Sequence, residues 1–198
     1  MNIKTCINNF KQTAITNCQN SQFVYHEFFV KDHLLVVEKI AIELCDIYKD
    51  ADRNLVMALV WFHDLGKPID MDNEYEITLN KGVQTMKDCG FSDAFILKVV
   101  EAWKRMEMKN EIDLSKESIE VQIVSSADGA SHFVGKFFST YFRDNSKEAI
   151  GDIETRLKKK IEQDWKNKII LPEVKEAFKE RYKRALEIVG EYPKKLIV

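Results

Sequence analysis

The chain has 198 residues, enough for one domain with a substantial core but too few for two equal domains. Apolar residues make up 45% and charged residues 31%, with seven Gly and three Pro, a composition typical of a soluble and mostly helical protein. The 30 basic and 32 acidic residues nearly cancel, so we expect no nucleic-acid polymer as partner. No apolar run approaches the length of a membrane span, so we expect no membrane partner.

The cysteines favour a reducing compartment. Cys6, Cys18, Cys45 and Cys89 form no C-x-x-C pair, and two of them lie in helical patterns, where a thiol packs as a small apolar group. Residues 1–20 lack the apolar core of a signal peptide. The sequence therefore predicts reduced thiols and a cytoplasmic protein.

Apolar spacing predicts two helices after the polar N-terminal segment. The run 32–48 carries apolar residues at intervals of three and four, the pattern of an amphipathic helix. Asp52 is expected to cap a second helix over 53–64, which Gly66 would end from the position after the last helical residue, with Pro68 just beyond.

The rest of the chain continues as helices after an acidic, aperiodic stretch at 68–78 that predicts a loop. The sequence indicates one all-α domain over 1–198, with its functional core at about 24–142 and two amphipathic helices packed on it at 146–190. The further helices are expected near 79–89, 92–108, 119–142 (one helix, or two broken near Gly129 or Gly135), 146–168 and 173–190.

Three helices aim titratable side chains at the predicted core. His33 shares a helical face with the apolar stripe that follows it, and His63 and Asp128 lie on the faces of the valines and leucines that precede them. A buried carboxylate without compensation costs several kcal/mol or becomes protonated. Asp128, like Asp64 beside His63, therefore needs a cation or hydrogen-bond donors.

Two explanations remain open at this point. Two neutral imidazoles and two carboxylates could hold one divalent ion, and the end of a helix favours a cation near His63 and Asp64. Alternatively, the His63-Asp64 pair is ordinary punctuation at a helix end, and Asp128 pairs with His132 one turn later.

The order of these residues resembles the HD superfamily of metal-dependent phosphohydrolases, whose pattern is H…HD…D on separate helices. "DHLLVVEKIAIEL" is similar to the family's first-ligand helix, "ALVWFHDLGK" to its central motif and "IVSSADGASHF" to its last-aspartate helix. The stretch "IEQDWKNKIILPEVKEAFKERY" also resembles the C-terminal segment of small stand-alone HD proteins. The resemblance covers most of residues 24–190.

The resemblance implies an HD-domain helical bundle with His33, His63, Asp64 and Asp128 as ligands of one divalent ion, with Mn, Fe, Co, Ni, Zn or Mg as candidates. Asp64 and Lys67 are the predicted catalytic residues, and Lys67, just past Gly66, would be free to swing toward a phosphate oxygen of the substrate bound at that ion. The expected partner is a small phosphorylated molecule, with nucleotides among the candidates. The expected reaction is hydrolysis of a phosphate ester by water activated on the ion.

The chain departs from several relatives. It has no histidine between 64 and 128, where many relatives carry two ligands of a second metal, so two-metal catalysis is disfavoured. Lys67 stands where some nucleotidase relatives carry a glutamate, which removes the obvious general acid. The alternative is therefore an HD-fold sensor or interaction module that binds a metal or nucleotide without turnover.

Further polar residues are candidates for supporting roles around the predicted site. Lys104 and Arg105 are candidate substrate contacts near the missing second metal, and His26 and His132 are candidate supports for the ligands. The basic run 158–160 is expected on a solvated face. The acidic residues after the central motif are candidate proton donors to a leaving group: Asp70, Asp72, Glu74 and Glu76.

Overall fold

A computed structural model describes residues 2–195, and it confirms the all-α prediction: every regular element within that range is helical. Residue 1 and residues 196–198 of the predicted domain lie outside the described residues. The helices are α1 (Ile3–Cys18), α2 (Leu35–Ile47), α3 (Arg53–Phe62), α4 (Glu74–Ile77), α5 (Val83–Asp88), α6 (Asp93–Glu107), α7 (Ile119–Ser131), α8 (Phe137–Asp144), α9 (Ile150–Gln163) and α10 (Pro172–Ile188).

Four short helical turns join or extend these helices. Three are π-helical, a wider turn that often occurs at functional sites, and one is a 3₁₀ turn. They are Val30–Leu34 before α2, Thr78–Gly82 between α4 and α5, Asp164–Lys168 after α9, and the 3₁₀ turn Leu114–Lys116 before α7.

The centre of the fold is formed by α2, α3 and α7, which all contact one another. Fully buried residues such as Val37, Leu59 and Val124 line their shared face. Helix α6 closes one side against α3 and α7, and α10 packs on α7 and α9. All four cysteines are free thiols buried in the core. Between residues 2 and 195, no helix is both long enough and apolar enough to cross a bilayer.

The first helix was not expected from the polar N-terminal composition. Within α1, Cys6, Phe10, Ala14 and Cys18 recur every four residues and are all buried. Phe10 stacks on Phe62 of α3 with ring centroids 6.4 Å apart. The segment therefore forms part of the core, because one apolar stripe outweighs a polar average.

The helix after Asp52 forms as predicted, but Gly66 has a different role. The Asp52 carboxylate accepts from the backbone N–H groups of Asn54 and Leu55, and α3 ends with His63 as its C-terminal cap. Gly66 does not have the positive φ of a helix-stopping glycine. A Cβ there would lie 2.3 Å from the Glu74 carbonyl oxygen, so glycine lets α4 approach closely.

The predicted loop at 68–78 is shorter than expected. Helix α4 begins at Glu74, and the π-helical turn Thr78–Gly82 joins it directly to α5. Only residues 68–73 are non-helical, and there Asp70 Oδ1 accepts from the N–H groups of Asp72 and Asn73. Of the acidic residues in this stretch, Glu74 and Glu76 therefore lie on α4, whereas Asp70 and Asp72 lie in the loop.

The break within 119–142 falls at Gly135, whose φ of +70° ends the continuation of α7. Gly129 instead lies inside α7. A Cβ on Gly129 would lie 2.8 Å from Lys168 Cβ and 3.0 Å from Ile169 Cγ1. This glycine therefore lets the turn Asp164–Lys168 lie directly against α7.

Candidate metal centre

Four of the predicted residues meet beside α2, α3 and α7. His33 lies in the turn Val30–Leu34 before α2, His63 and Asp64 directly follow α3, and Asp128 lies within α7. His33 Nε2 lies 2.9 Å from Asp64 Oδ2 and 3.8 Å from Asp128 Oδ1. His63 Nε2 lies 3.4 Å from the same Asp64 oxygen and 3.9 Å from the same Asp128 oxygen. One nitrogen of each imidazole and one oxygen of each carboxylate thus face a common point, with all four residues buried.

His63 presents a free nitrogen at this point. Its Nδ1 lies 2.7 Å from the Val60 carbonyl oxygen, which can only accept, so Nδ1 carries a proton. Its Nε2 is the one buried side-chain nitrogen or oxygen in the range 2–195 that has no hydrogen-bond partner. Burial lowers the pKa of His63, but Asp64 and Asp128 raise it overall, so the surroundings favour positive charge at this nitrogen.

The tautomer of His33 follows from Ser131. The Ser131 hydroxyl donates to the Asp128 backbone oxygen at 2.7 Å, so it must accept from His33 Nδ1 at 2.8 Å. Burial lowers the pKa of His33 and favours its neutral form. In that form the Nε2 lone pair faces Asp64 Oδ2, an arrangement that a cation between the two atoms would relieve.

The outer oxygens of the two carboxylates are held by lysines. Lys67 Nζ lies 2.7 Å from Asp64 Oδ1, and Lys168 Nζ lies 2.6 Å from Asp128 Oδ2. Although burial raises both carboxyl pKa values, the nearby His63 and Lys67 hold that of Asp64 well below its ordinary value. Lys168, followed by the surrounding histidines, does the same for Asp128. Both aspartates are therefore ionised.

A second layer of charges lies behind Asp128. His132 Nε2 is 3.6 Å from Asp128 Oδ1, while its Nδ1 bonds Asp164 Oδ2 at 2.8 Å. Burial lowers the pKa of His132 to about 3, so the ring is neutral. Lys160 Nζ contacts both Asp164 oxygens at 2.6 and 2.7 Å. His132 thus lies beside Asp128 as predicted, whereas Lys160 does not belong to the solvated face expected for 158–160.

Asp164 and Lys168 were missed, although the sequence contains a signal for them. They continue the spacing of the buried Leu157 and Ile161 at intervals of three and four, which places them on the core-facing side of α9 and its extension. Both residues therefore follow the same helical periodicity that indicated His33 and Asp128.

Three predicted residues lie outside the cluster. Lys104 is exposed on α6, and Arg105 forms a surface pair with Glu117 at 2.5 Å. His26 is half-buried and its Nδ1 bonds the Phe23 carbonyl oxygen at 2.8 Å. The structure therefore gives none of them a contact with the four converging residues.

The acidic residues after the central motif differ in their surroundings. Asp72 and Glu76 are exposed, and Asp70 caps its own turn. Glu74 is half-buried in the first turn of α4. Burial raises the pKa of Glu74 despite the opposing effect of Lys67. Glu74 is therefore the best candidate in this group for holding a proton near Lys67.

Two cavities share Lys67 as a wall residue. One, of about 250 Å³, is lined by Lys67, Lys109, Asn110, Lys160, Gln163, Asp164, Asn167 and Lys168. The other, of about 160 Å³, is mostly apolar and is lined by Tyr25, Phe28, Phe29, Lys67, Met71, Phe137, Thr140, Tyr141 and Asp144. Lys67 therefore stands between a basic cavity and an aromatic one.

Comparison with known families agrees with this geometry. The family model for the HD domain matches residues 30–131, slightly more than half of the chain, and this protein belongs to that family. The HD domain is typical of metal-dependent phosphohydrolases, and the matched range contains all four converging residues. No curated protein and no solved structure shows significant similarity to the chain. Lys160, Asp164 and Lys168 lie beyond the matched range.

Proposed function

We propose that this protein is a metal-dependent phosphohydrolase that cleaves a phosphate ester of a small metabolite. The observation that carries the proposal is the unpartnered His63 Nε2, buried at the point where His33, Asp64 and Asp128 also converge. A buried nitrogen lone pair beside two ionised carboxylates has the surroundings of a cation ligand. These four residues would hold one divalent ion.

The arrangement supports a single ion of the first transition row, with Mg as the less suited candidate. Mixed imidazole and carboxylate donors suit Mn, Fe, Co, Ni and Zn. Among the described residues, two groups of three ligands meet closely enough to hold a metal, His33–His63–Asp64 and His33–Asp128–His132. Because both groups include His33, they overlap at one centre and do not form two.

The chemistry follows from the charges at this centre. A bound divalent ion supplies Lewis acidity, which makes water a better nucleophile and polarises a phosphoryl oxygen. Water adds to phosphorus, the ester P–O bond breaks, and the products are phosphate and the free alcohol. Lys67, which contacts Asp64 Oδ1, would bind a phosphoryl oxygen, and the half-buried Glu74 would hold a proton for the departing alkoxide.

The aromatic cavity supports a substrate with a flat apolar part. Its wall includes Tyr25, Phe28 and Phe29 from the segment before α2, and Phe137 and Tyr141 from α8. Lys67, which pairs with Asp64 of the charged centre, also lines it. Such a cavity would take a nucleobase or a similar ring while the phosphate lies near Lys67. A nucleotide is therefore one of the substrates we propose to test first.

The test combines metal analysis with activity. The purified protein is assayed for bound metal and for release of phosphate from a panel of phosphate esters, with Mn²⁺, Co²⁺ or Ni²⁺ added. We expect about one ion per chain and turnover that Asp64→Asn and Asp128→Asn each abolish. The matched control is Asp72→Asn, an exposed aspartate after the same motif. Turnover that is unaffected by both buried substitutions would refute the proposal.

A non-catalytic role as a metal or nucleotide sensor is the second candidate, and one observation favours it. Asp64 and Asp128 already have lysine partners, so the fold neutralises its buried charges without an ion. Stabilisation by a nucleotide in a thermal-shift assay, with no product formed over a broad panel, would support this role. Turnover dependent on Asp64 would exclude it.

A further inference from the structure

Four lysines from distant parts of the sequence line the basic cavity beside the metal centre. Lys67 follows α3, Lys109 follows α6, Lys160 lies on α9, and Lys168 ends the turn after α9. Lysine ammonium groups are strongly hydrated and usually extend into solvent. These four side chains are instead only 13 to 32% exposed. The fold therefore concentrates positive charge in one partly enclosed space.

Each of the four lysines has a carboxylate within hydrogen-bonding distance. Two of these pairs involve the aspartates of the metal centre, at 2.7 Å for Lys67–Asp64 and 2.6 Å for Lys168–Asp128. The other two pairs are Lys160–Asp164 at 2.6 Å and Lys109–Glu107 at 3.2 Å. Without a bound ion, a carboxylate therefore balances the positive charge of each of the four lysines.

A divalent ion at the centre would upset this match. The ion would share Asp64 and Asp128 with Lys67 and Lys168, so two further positive charges would enter the same region. The half-buried Glu74 carboxylate could offset only one of these two charges, so the region would keep a net positive charge. A substrate with one phosphoryl group at the ion would occupy the centre but leave the far lysines, Lys109 and Lys160, without an added anion.

The cavity also offers neutral hydrogen-bond donors suited to phosphate oxygens. The side chains of Asn110, Gln163 and Asn167 form part of its wall, and Asn167 Nδ2 already donates to Asn110 Oδ1 at 2.9 Å. Lysine with amide donors is a donor set that accepts a second anionic group. Because Lys67 and Lys168 contact both the centre and the cavity, the two anions would be neighbours.

From this arrangement we infer that the basic cavity is a subsite for a second phosphoryl group, so that the substrate class is an organic diphosphate or a longer condensed phosphate. The inference rests on the proposed function, because it places the first phosphoryl group at the metal centre. Four of its lysines and amides come from the C-terminal segment beyond the HD match: Lys160, Gln163, Asn167 and Lys168.

The inference is tested by binding of two stable probes. Methylenediphosphonate carries two phosphonate groups and methylphosphonate carries one, and neither P–C bond is hydrolysed in the assay. Titration calorimetry on the full-length protein with Mn²⁺ should show about tenfold tighter binding of the diphosphonate. Lys109→Gln should weaken diphosphonate binding about fivefold and leave methylphosphonate unchanged, and Lys109→Glu should weaken it further.

The matched control is Lys159→Gln, which removes the same charge from an exposed position beside Lys160. It should change binding of neither probe. Complexation of Mn²⁺ by the probe in solution is identical for all variants and cancels in their comparison. Equal weakening of both probes by Lys109→Gln, no effect on either, or the same effect from Lys159→Gln would overturn the inference.

The outcomes separate this inference from the proposed function. Metal content and phosphate-ester turnover are measured on the same preparations. Turnover that depends on Asp64, without a Lys109-dependent preference for the diphosphonate, would refute the subsite and leave the hydrolase intact. A Lys109-dependent preference without any turnover would support the subsite and refute the hydrolase.

Discussion

The ammonium of Lys168 contacts Asp128 Oδ2 at 2.6 Å, and the two residues lie forty positions apart in the sequence. Asp128 lies within the range matched by the HD-domain model, whereas Lys168 belongs to the C-terminal segment, whose turn Asp164–Lys168 packs on α7. Lys168, a residue outside the matched range, therefore supplies positive charge to the buried Asp128 carboxylate. The C-terminal segment therefore contributes a contact to the candidate metal centre.

Removing this lysine should destabilise the metal-free protein. Lys168→Met leaves the buried Asp128 carboxylate without its closest cation, and breaking a buried pair in this way typically costs about 3 kcal/mol in the free energy of unfolding. In urea denaturation with EDTA we expect a loss of that size. With excess Mn²⁺ the loss should shrink, because an ion restores positive charge at the carboxylate.

The control for Lys168 lies in the same turn. Lys166 pairs with Glu162 at 3.2 Å, but its side chain is 63% exposed, so Lys166→Met should cost less than about 1 kcal/mol. Similar losses for the two variants, or a Lys168→Met loss that Mn²⁺ does not reduce, would contradict a charge-pairing role for Lys168.

His63 should be needed for metal binding far more than for folding. Its Nε2 has no hydrogen-bond partner, so His63→Phe gives up one hydrogen bond, from Nδ1 to the Val60 carbonyl oxygen, which contributes about 1 kcal/mol to the unfolding free energy. The variant also loses the electrostatic support that His63 gives to Asp64, but Lys67 continues to pair with that carboxylate. Its affinity for Mn²⁺, measured by calorimetry, should fall by about 100-fold or more.

His26 provides the comparison, because its Nδ1 also bonds a carbonyl three residues earlier, that of Phe23. His26→Phe loses the same kind of hydrogen bond away from the cluster. We expect Mn²⁺ affinity to remain at the level of the unchanged protein. If the two variants lowered Mn²⁺ affinity equally, His63 would not be a ligand.

Gly66→Ala should be strongly destabilising for a steric reason. The added Cβ would lie 2.3 Å from the Glu74 carbonyl oxygen and 2.6 Å from Thr78 Oγ1, so α4 would have to move away from the end of α3. A loss of about 2 to 3 kcal/mol is expected in thermal or urea unfolding. Gly151→Ala, where no atom lies within 4 Å, should be neutral or stabilise by up to about 1 kcal/mol.

Helical periodicity predicted the centre of this protein well because its ligand candidates lie on regular faces. His33, His63 and Asp128 each continue an apolar stripe, and the structure brings them together with Asp64. The Asp52 cap and the helix that begins at Arg53 also formed as expected, since capping depends on neighbouring residues alone, although this helix ends at Phe62 and not at the predicted residue 64.

Features that depend on distant contacts could not be predicted in this way. Gly66 looked like a helix stop, but its role depends on Glu74 and Thr78, which approach it only in the folded chain. Lys67 looked free to move, yet it holds Asp64. Arg105 was placed near a pocket by analogy with relatives, whereas its nearest charge is the surface residue Glu117. Pairing between helices is not encoded in a local pattern.

Lys67 should affect metal and phosphate binding in opposite directions. Its ammonium lies 2.7 Å from Asp64 Oδ1, so it competes with an ion for that carboxylate and repels it. Lys67→Gln should therefore tighten Mn²⁺ binding about threefold to tenfold. The same change removes a cation facing both cavities, so binding of methylphosphonate to the Mn²⁺-loaded protein should weaken by a similar factor.

A purely structural role for Lys67 would move both affinities in the same direction, since a disturbed centre would bind neither partner well. Calorimetric titrations of Mn²⁺ and then of methylphosphonate distinguish the two cases. Lys81→Gln, at an exposed lysine of the turn Thr78–Gly82, is the matched control and should alter neither affinity. Weaker binding of both Mn²⁺ and methylphosphonate to Lys67→Gln would show that Lys67 organises the centre without contacting the anion.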